Sequence, residues 1–252
     1  YLFSIQNPPA YENGKWDQAI SIATSGNRLY LMDAGSNSIK VFDTEGQFIR
    51  SFGGYGTGDA KFNIYPLWGY PELKNNMAVD KNGRLWVVDW GNSRIQVFDA
   101  EGNFLFKFGS QGTSDGQFNF PSFSWDTIVI GNIALDANGN AYITDTGDGW
   151  GRIQIFNSQG IFQRSIKSSL DGGPIPEIGD IRGPIAILGP ENRIAIATHD
   201  RNAILILNND GSYWKTIGGV LPGRTAGQFQ FITSLRATTN HLYSVECYDN
   251  PR

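Results

Sequence analysis

Short runs in which apolar and polar residues alternate recur along the chain and predict strands. In the clearest run, phenylalanine recurs at every second position, 104, 106 and 108, with Leu105 and Lys107 between them, a period of two that is typical of a strand. Asn-Gly and Asp-Gly pairs, which favour tight turns, separate successive runs. The pattern therefore predicts an all-β fold of many short strands.

The strands belong to an internal repeat. Residues 77–89, MAVDKNGRLWVVD, are matched by residues 133–145, IALDANGNAYITD, and both copies continue with a similar segment, RIQVF at 94–98 and RIQIF at 152–156. Looser copies lie on either side of these two. Corresponding positions are 56, 56, 53 and 48 residues apart and are occupied by Asp33, Asp89, Asp145, Thr198 and Glu246. A period of this length is typical of propeller blades.

We predict a β-propeller of four-stranded blades, in which each copy supplies strands A, B, C and D in chain order. Five blades are detectable in a single domain covering residues 1–252, at 19–56, 76–112, 132–167, 184–219 and, in part, 232–252. Residues 1–5 align with strand D and are predicted to be the outer strand of the closing blade. Six blades are expected instead if the chain is a fragment.

The repeated letters resemble the NHL repeat. They read I-A-V-D, then N-G-x-x-Y-V-x-D, then R-I-Q-V-F, and finally F-G and G-x-F, with the closest agreement in the second and third copies. The resemblance covers almost all of the chain and implies the propeller fold. It implies no single activity, because the family includes RNA-binding, protein-binding and lyase members.

Net charge, cysteine count and apolar runs indicate which kinds of partner and location to expect. The net charge is −4 and the sequence pI is about 5.2, so nothing favours a nucleic acid partner. The single cysteine, Cys247, allows no intrachain disulfide, and no apolar run is long enough to span a membrane. Charged residues make up 17% of the chain, and this low fraction favours an extracellular or cell-surface location.

A candidate recognition surface follows from the strand order. In a blade whose chain runs up and down, the D-to-A links and the B-to-C loops share one face of the disc, here called the first face. Aromatic rings beside polar groups are typical of glycan and peptide sites. The predicted ligand-binding residues on this face are Tyr65, Trp68, Tyr70, Trp90, Phe123, Trp125, Asp148, Trp150, His199, Arg201 and Tyr248. The alternative is that these rings pack between blades.

Acidic and basic residues flank two of the B-to-C loops. Asp89 precedes Arg94 by five residues and Asp145 precedes Arg152 by seven. A carboxylate at the end of strand B and a guanidinium at the start of strand C can pair in bidentate fashion. We therefore predict that they clamp their loops, and that the first copy, with Ser38 in place of the arginine, lacks the clamp.

No cofactor is predicted from the sequence, and no set of residues identifies a metal site. His199 and His241 are expected on opposite faces, roughly 15 Å or more apart across a strand, so one zinc ion cannot bind both. A calcium site built from Asp and Asn residues around the central channel stays open as an alternative.

The most consistent function is a non-catalytic recognition or scaffold module that binds a glycan, peptide or partner protein on the first face. One alternative is a metal-dependent hydrolase or lyase acting at the channel mouth, although no catalytic residues are recognised. Another is a structural unit of a larger surface protein or assembly.

Overall fold

The computed structural model describes eleven segments of the chain. They comprise residues 14–64, 76–120, 131–145, 151–170, 173–174, 181, 183–198, 202–219, 229, 232–238 and 241–246. Their only helical element is the single 3₁₀ turn Trp90–Asn92, and no helix among them is long and apolar enough to cross a membrane.

Four antiparallel sheets of four strands each dominate the described residues. In every sheet the order of strands in space is their order along the chain. The first sheet holds β1 (Ala19–Ser25), β2 (Arg28–Asp33), β3 (Ser38–Asp43) and β4 (Phe48–Gly53), and the second holds β5 (Met77–Val79), β6 (Leu85–Asp89), β7 (Arg94–Phe98) and β8 (Phe104–Phe108). The third holds β9 (Ile133–Leu135), β10 (Ala141–Asp145), β11 (Arg152–Phe156) and β12 (Phe162–Lys167).

After the third sheet, a small pair of strands precedes the fourth. This pair is β13 (Ser169–Leu170) and β14 (Gly173–Pro174). The fourth sheet holds β15 (Ile185–Leu188), β16 (Arg193–Thr198), β17 (Ala203–Leu207) and β18 (Tyr213–Gly218).

The fifth predicted blade is represented by two strands, β19 (Ile232–Ala237) and β20 (Leu242–Glu246), which pair antiparallel as strands A and B. Residues 1–5, predicted to close the ring, and residues 247–252 lie outside the described residues. The chain is thus an all-β propeller, as predicted, and its described residues form four complete blades and two two-stranded sheets, β13–β14 and β19–β20.

The turn between strands A and B explains the aspartate of the repeated I-A-V-D sequence. Asp80 Oδ1 accepts hydrogen bonds from the backbone N–H groups of Asn82 and Arg84 at 2.9 and 3.0 Å. Asp136 holds the third sheet's turn in the same way. An aspartate that bonds to the backbone two residues on favours a tight turn, so this position fixes the A–B hairpin.

Aromatic rings fill the space between the second and third sheets. The ring centroid of Phe156 lies 4.7 Å from that of Phe108 and 5.6 Å from that of Phe118. The second, third and fourth blades also bring the glycine of the C–D turn against the outer strand of the blade before. At Gly102, where φ is +81°, an added Cβ would lie 2.6 Å from the ring of Phe52, so no larger residue fits without a shift.

The first strands of the four blades and of the β19–β20 sheet, here called the fifth sheet, line a central channel of about 330 Å³. Consecutive inner strands β1, β5, β9, β15 and β19 are in contact from the first sheet to the fifth. Between the fifth sheet and the first, Arg236 Nη2 donates a hydrogen bond to the carbonyl oxygen of Ile22 at 3.2 Å. The inner strands thus surround one shared cavity.

Candidate functional site

The first face brings together the D-to-A links and the B-to-C loops, as the strand order predicts. The link of residues 54–64 crosses from β4 towards β5, and its backbone bonds directly to loop residues. Gly91 N donates to Asn63 O at 3.0 Å, and Asn37 Oδ1 accepts from Ile64 N at 2.6 Å. The backbone of this link is therefore held from both sides.

The predicted pair of Asp89 and Arg94 forms and is buried. Arg94 Nε donates to Asp89 Oδ2 at 2.8 Å, and the side chain of Asp89 is fully buried. The other guanidinium nitrogens reach beyond the second sheet to the preceding link. They donate to the carbonyl oxygens of Thr57, Gly58 and Lys61 at 2.7–2.8 Å. The pair therefore holds the preceding link as well as its own loop.

A glutamine, whose role was not predicted from the sequence, completes the arrangement. Gln96 Nε2 donates to Lys61 O at 2.7 Å and to Asp89 Oδ2 at 3.0 Å, while Gln96 Oε1 accepts from Ala60 N at 3.0 Å. Arg94 and Gln96 are two residues apart on β7 and so share one side of the strand. The repeated Arg-Ile-Gln spacing was the signal that could have revealed it.

The third sheet repeats this Asp-Arg-Gln network. Arg152 Nε and Nη2 donate to the two oxygens of Asp145 at 2.9 and 3.3 Å, which is the bidentate pairing predicted. Arg152 and Gln154 also donate to the carbonyl oxygen of Gln117 at 2.7 and 2.6 Å. Gly116 N completes the set by donating to Gln154 Oε1 at 2.8 Å.

The first and fourth sheets lack the network. In the fourth, the strand register places Thr198, Ala203 and Leu205 at the aspartate, arginine and glutamine positions. In the first, Ser38 replaces the arginine, as noted from the sequence. Asp33 there accepts instead from the backbone N–H groups of Asp17 and Gln18, at 3.1 and 2.9 Å.

Trp90 is the one predicted ligand-binding residue that lies within the described residues. Its side chain is 4% exposed and belongs to the main hydrophobic core. In contrast to the prediction, the ring packs inside the molecule, because the 3₁₀ turn that begins at Trp90 directs it inward. The other ten predicted residues lie outside the described residues: Tyr65, Trp68, Tyr70, Phe123, Trp125, Asp148, Trp150, His199, Arg201 and Tyr248.

An exposed aromatic residue that the sequence analysis did not select lies on the first face. Tyr55, in the link of residues 54–64, is 74% exposed. Its backbone forms an isolated parallel bridge with Phe62, and the next link repeats the bridge between Gln111 and Phe118. The bridge places Tyr55 on a fixed backbone while leaving its ring in solvent. Its occurrence in an aromatic-rich link was the available signal.

No group of three or more His, Cys, Asp or Glu side chains within the described segments could hold a metal ion. Near the inner strands, Ser21 Oγ and Asn76 Oδ1 are buried and have no hydrogen-bond partner among the described residues. These oxygens are neutral, whereas calcium sites in proteins generally include carboxylates. The calcium alternative stays a prediction.

Comparison with known proteins supports the repeat. The NHL repeat profile matches residues 76–98, which run from the start of the second sheet to the end of β7. Protein brain tumor of Drosophila melanogaster is 30% identical over 114 residues, covering 45% of this chain and 10% of that protein. Human NHL repeat-containing protein 3 is 42% identical over 92 residues, covering 35% and 24%. The matched region is thus a small part of each relative.

Solved structures share the fold at low identity. A streptogramin B lyase structure superposes with a TM-score of 0.57 and 16% identity, covering 95% of this chain and 64% of that one. A nidogen–laminin complex gives 0.55 and 14%, covering 90% and 72%. These likenesses concern the architecture alone. Together with the repeated sheets, they show a β-propeller fold, and the profile match shows that this propeller contains an NHL repeat at residues 76–98, so the chain is similar to NHL-repeat proteins.

Proposed function

We propose that this propeller is a recognition module that binds a partner protein or peptide on its first face. The observation that carries the proposal is the Asp-Arg-Gln network. In it, buried charged side chains form hydrogen bonds to the backbone of two surface links and hold that backbone in place. In the second sheet, Arg94 and Gln96 together bond to three carbonyl groups and one amide of the link at residues 57–61.

A fixed surface backbone favours binding. Association is opposed by the entropy lost when loops and side chains become ordered, and a surface held rigid in advance loses less. The described links also present side chains suited to contact a partner, since Tyr55 is exposed and Asp59 lies beside Lys107, with 2.6 Å between Oδ1 and Nζ. Tyrosine is among the residues that contribute most to protein interfaces.

In the sequence, the segments 65–75 and 121–130 follow the two fixed links. These carry Trp68 and Trp125, which the sequence analysis assigned to ligand binding. Their assignment stays part of the proposal, as does an extracellular or cell-surface location. Binding to a peptide library and to a glycan array distinguishes a protein partner from a glycan.

The test is to probe an immobilised peptide library and a glycan array with the wild-type chain, Tyr55→Ala and the Trp68→Ala/Trp125→Ala double variant. We expect the wild type to select peptides. We also expect both variants to weaken that binding at least about tenfold, the loss of roughly 1.4 kcal/mol expected from truncating an interface aromatic.

Tyr213→Ala provides the matched control, because Tyr213 is 47% exposed on β18, the outer strand of the fourth sheet. It should bind like the wild type. Selection of glycans alone would replace the protein partner with a carbohydrate. Equal binding by all variants, with their thermal unfolding unchanged, would show that the partner does not bind on the first face.

A further inference from the structure

The inner strands of the five sheets carry the same small residue at one level, with a single exception. The strand register aligns Ala23, Ala78, Ala134 and Ala186, each opposite a residue of the neighbouring B strand. In the fifth sheet the aligned residue is Arg236, opposite Tyr243. Since four sheets fold with alanine here, the blade itself has no need of an arginine at this level.

Arg236 lines the channel. Among the described lining residues it is the only charged one, and Thr24 on the first sheet is the only other polar one. The other described lining residues are alanine and larger aliphatic residues, and polar backbone groups of the inner strands also face the cavity. A cavity of about 330 Å³ is large enough for a small molecule.

Within the described part of the chain, the guanidinium of Arg236 donates hydrogen bonds only to backbone carbonyl oxygens. Nη1 donates to Leu235 O and Nη2 to Ile22 O, both at 3.2 Å. A guanidinium carries five N–H groups, so donors remain for a further acceptor. No described carboxylate pairs with it, whereas Arg94 and Arg152 each have an aspartate.

The surrounding protein partly removes the Arg236 guanidinium from water but leaves it accessible to solvent. Arg236 is exposed to the solvent of the channel, yet burial by the surrounding protein lowers the pKa of its guanidinium. An arginine stays charged throughout the physiological range. A positive charge that is partly removed from water is stabilised effectively by an anion that enters the same cavity.

We propose that the channel binds a small organic carboxylate, with Arg236 pairing with the carboxylate group and the rest of the molecule lying along the inner strands. The planar guanidinium matches a carboxylate in shape, since two parallel N–H groups can meet two oxygens. A body of a few carbon atoms fits the volume of about 330 Å³. This site is separate from the first face and does not depend on the function proposed there.

The experiment titrates butyrate into the wild-type chain by calorimetry and compares it with butyramide, a neutral molecule of the same shape. We expect saturable binding of butyrate and at least about tenfold weaker binding of butyramide. Butyrate should also raise the midpoint of thermal unfolding, because a ligand that binds only the folded state stabilises it.

Two variants locate the site. Arg236→Ala introduces the residue that the other four sheets carry and should weaken butyrate binding at least about tenfold. Arg236→Met keeps a side chain of similar length without the charge and should do the same, which covers the case in which alanine disturbs the fold. Arg50→Ala, which removes an exposed arginine from β4, is the control and should bind as the wild type does.

The wild type alone can overturn the proposal: it fails if butyrate does not bind saturably, or if butyramide binds equally well. It fails also if a folded Arg236→Met variant binds butyrate with unchanged affinity. In that case Arg236 serves only to link the fifth sheet to the backbone of Ile22.

Discussion

Removal of the arginine from the Asp-Arg-Gln network of the second sheet should destabilise the propeller markedly. In Arg94→Met the aliphatic part of the side chain remains, but the buried Asp89 loses its charged partner. Leaving one member of a buried ion pair unpaired costs about 3–5 kcal/mol. Asp89 keeps neutral donors from Asn63, Asn92 and Gln96, and the freed carbonyls belong to surface residues that water can reach. The lower end, about 3 kcal/mol, is therefore expected.

The assay is urea unfolding followed by circular dichroism, with thermal unfolding as a second measure. A loss of about 3 kcal/mol corresponds to a fall in Tm of roughly 6–12 °C in a domain of this size. Lys107→Met is the control, because Lys107 and Asp59 form an exposed pair, with side chains 45% and 54% exposed. Such surface pairs contribute less than about 1 kcal/mol.

A double-mutant cycle separates the charge interaction from the loss of packing. Asp89→Asn removes the carboxylate charge while keeping the shape of the side chain. Combined with Arg94→Met, it should recover at least about 1 kcal/mol relative to the sum of the two single losses, as expected for residues in direct contact. A cost for Arg94→Met as small as that for Lys107→Met, or a cycle with no coupling, would refute the reasoning.

Three further predictions concern the turns, the core and alkaline pH. Gly102→Ala should destabilise more than Gly26→Ala by about 1–3 kcal/mol in urea unfolding, because both have positive φ but only the first places its Cβ against Phe52; equal losses would contradict this. Phe156→Ala, at a fully buried ring, should cost about 3–5 kcal/mol in the same assay, and a loss below 1 kcal/mol would contradict the packing. Burial raises the pKa of Tyr142 to about 12, so the stability from its neutral hydroxyl is complete below pH 10 and is lost as the pH rises to 12. Tyr142→Phe should flatten that decline, and ultraviolet titration of the folded protein measures the pKa directly.

The fold was largely predictable from sequence, because each blade repeats the local signals that form it. The apolar alternation around Phe106 and the turn at Asp80 both recur at fixed spacing, and neither depends on distant parts of the chain. The Asp89–Arg94 pairing followed from the same spacing. Repetition therefore converts a weak local signal into a reliable prediction of strand order and of faces.

The candidate sites were less predictable, because they depend on how blades meet. Trp90 follows a strand in a surface loop, and only the turn of the backbone directs its ring into the core. The second role of Arg94, to hold the preceding link, requires knowledge of which link lies beside it. Arg236 differs from its counterparts only once the register aligns Leu235-Arg236-Ala237 with Met77-Ala78-Val79.

The uneven distribution of the Asp-Arg-Gln network has a consequence for how the ring opens. The network ties the first sheet to the second and the second to the third, whereas Thr198, Ala203 and Leu205 stand at its positions in the fourth sheet. Between the fifth sheet and the first, the described side-chain hydrogen bond is that of Arg236 with Ile22 O. Partial opening draws on the least stable region of a protein. We therefore expect the contacts among the first three sheets to open less often than those between the third sheet and the fourth.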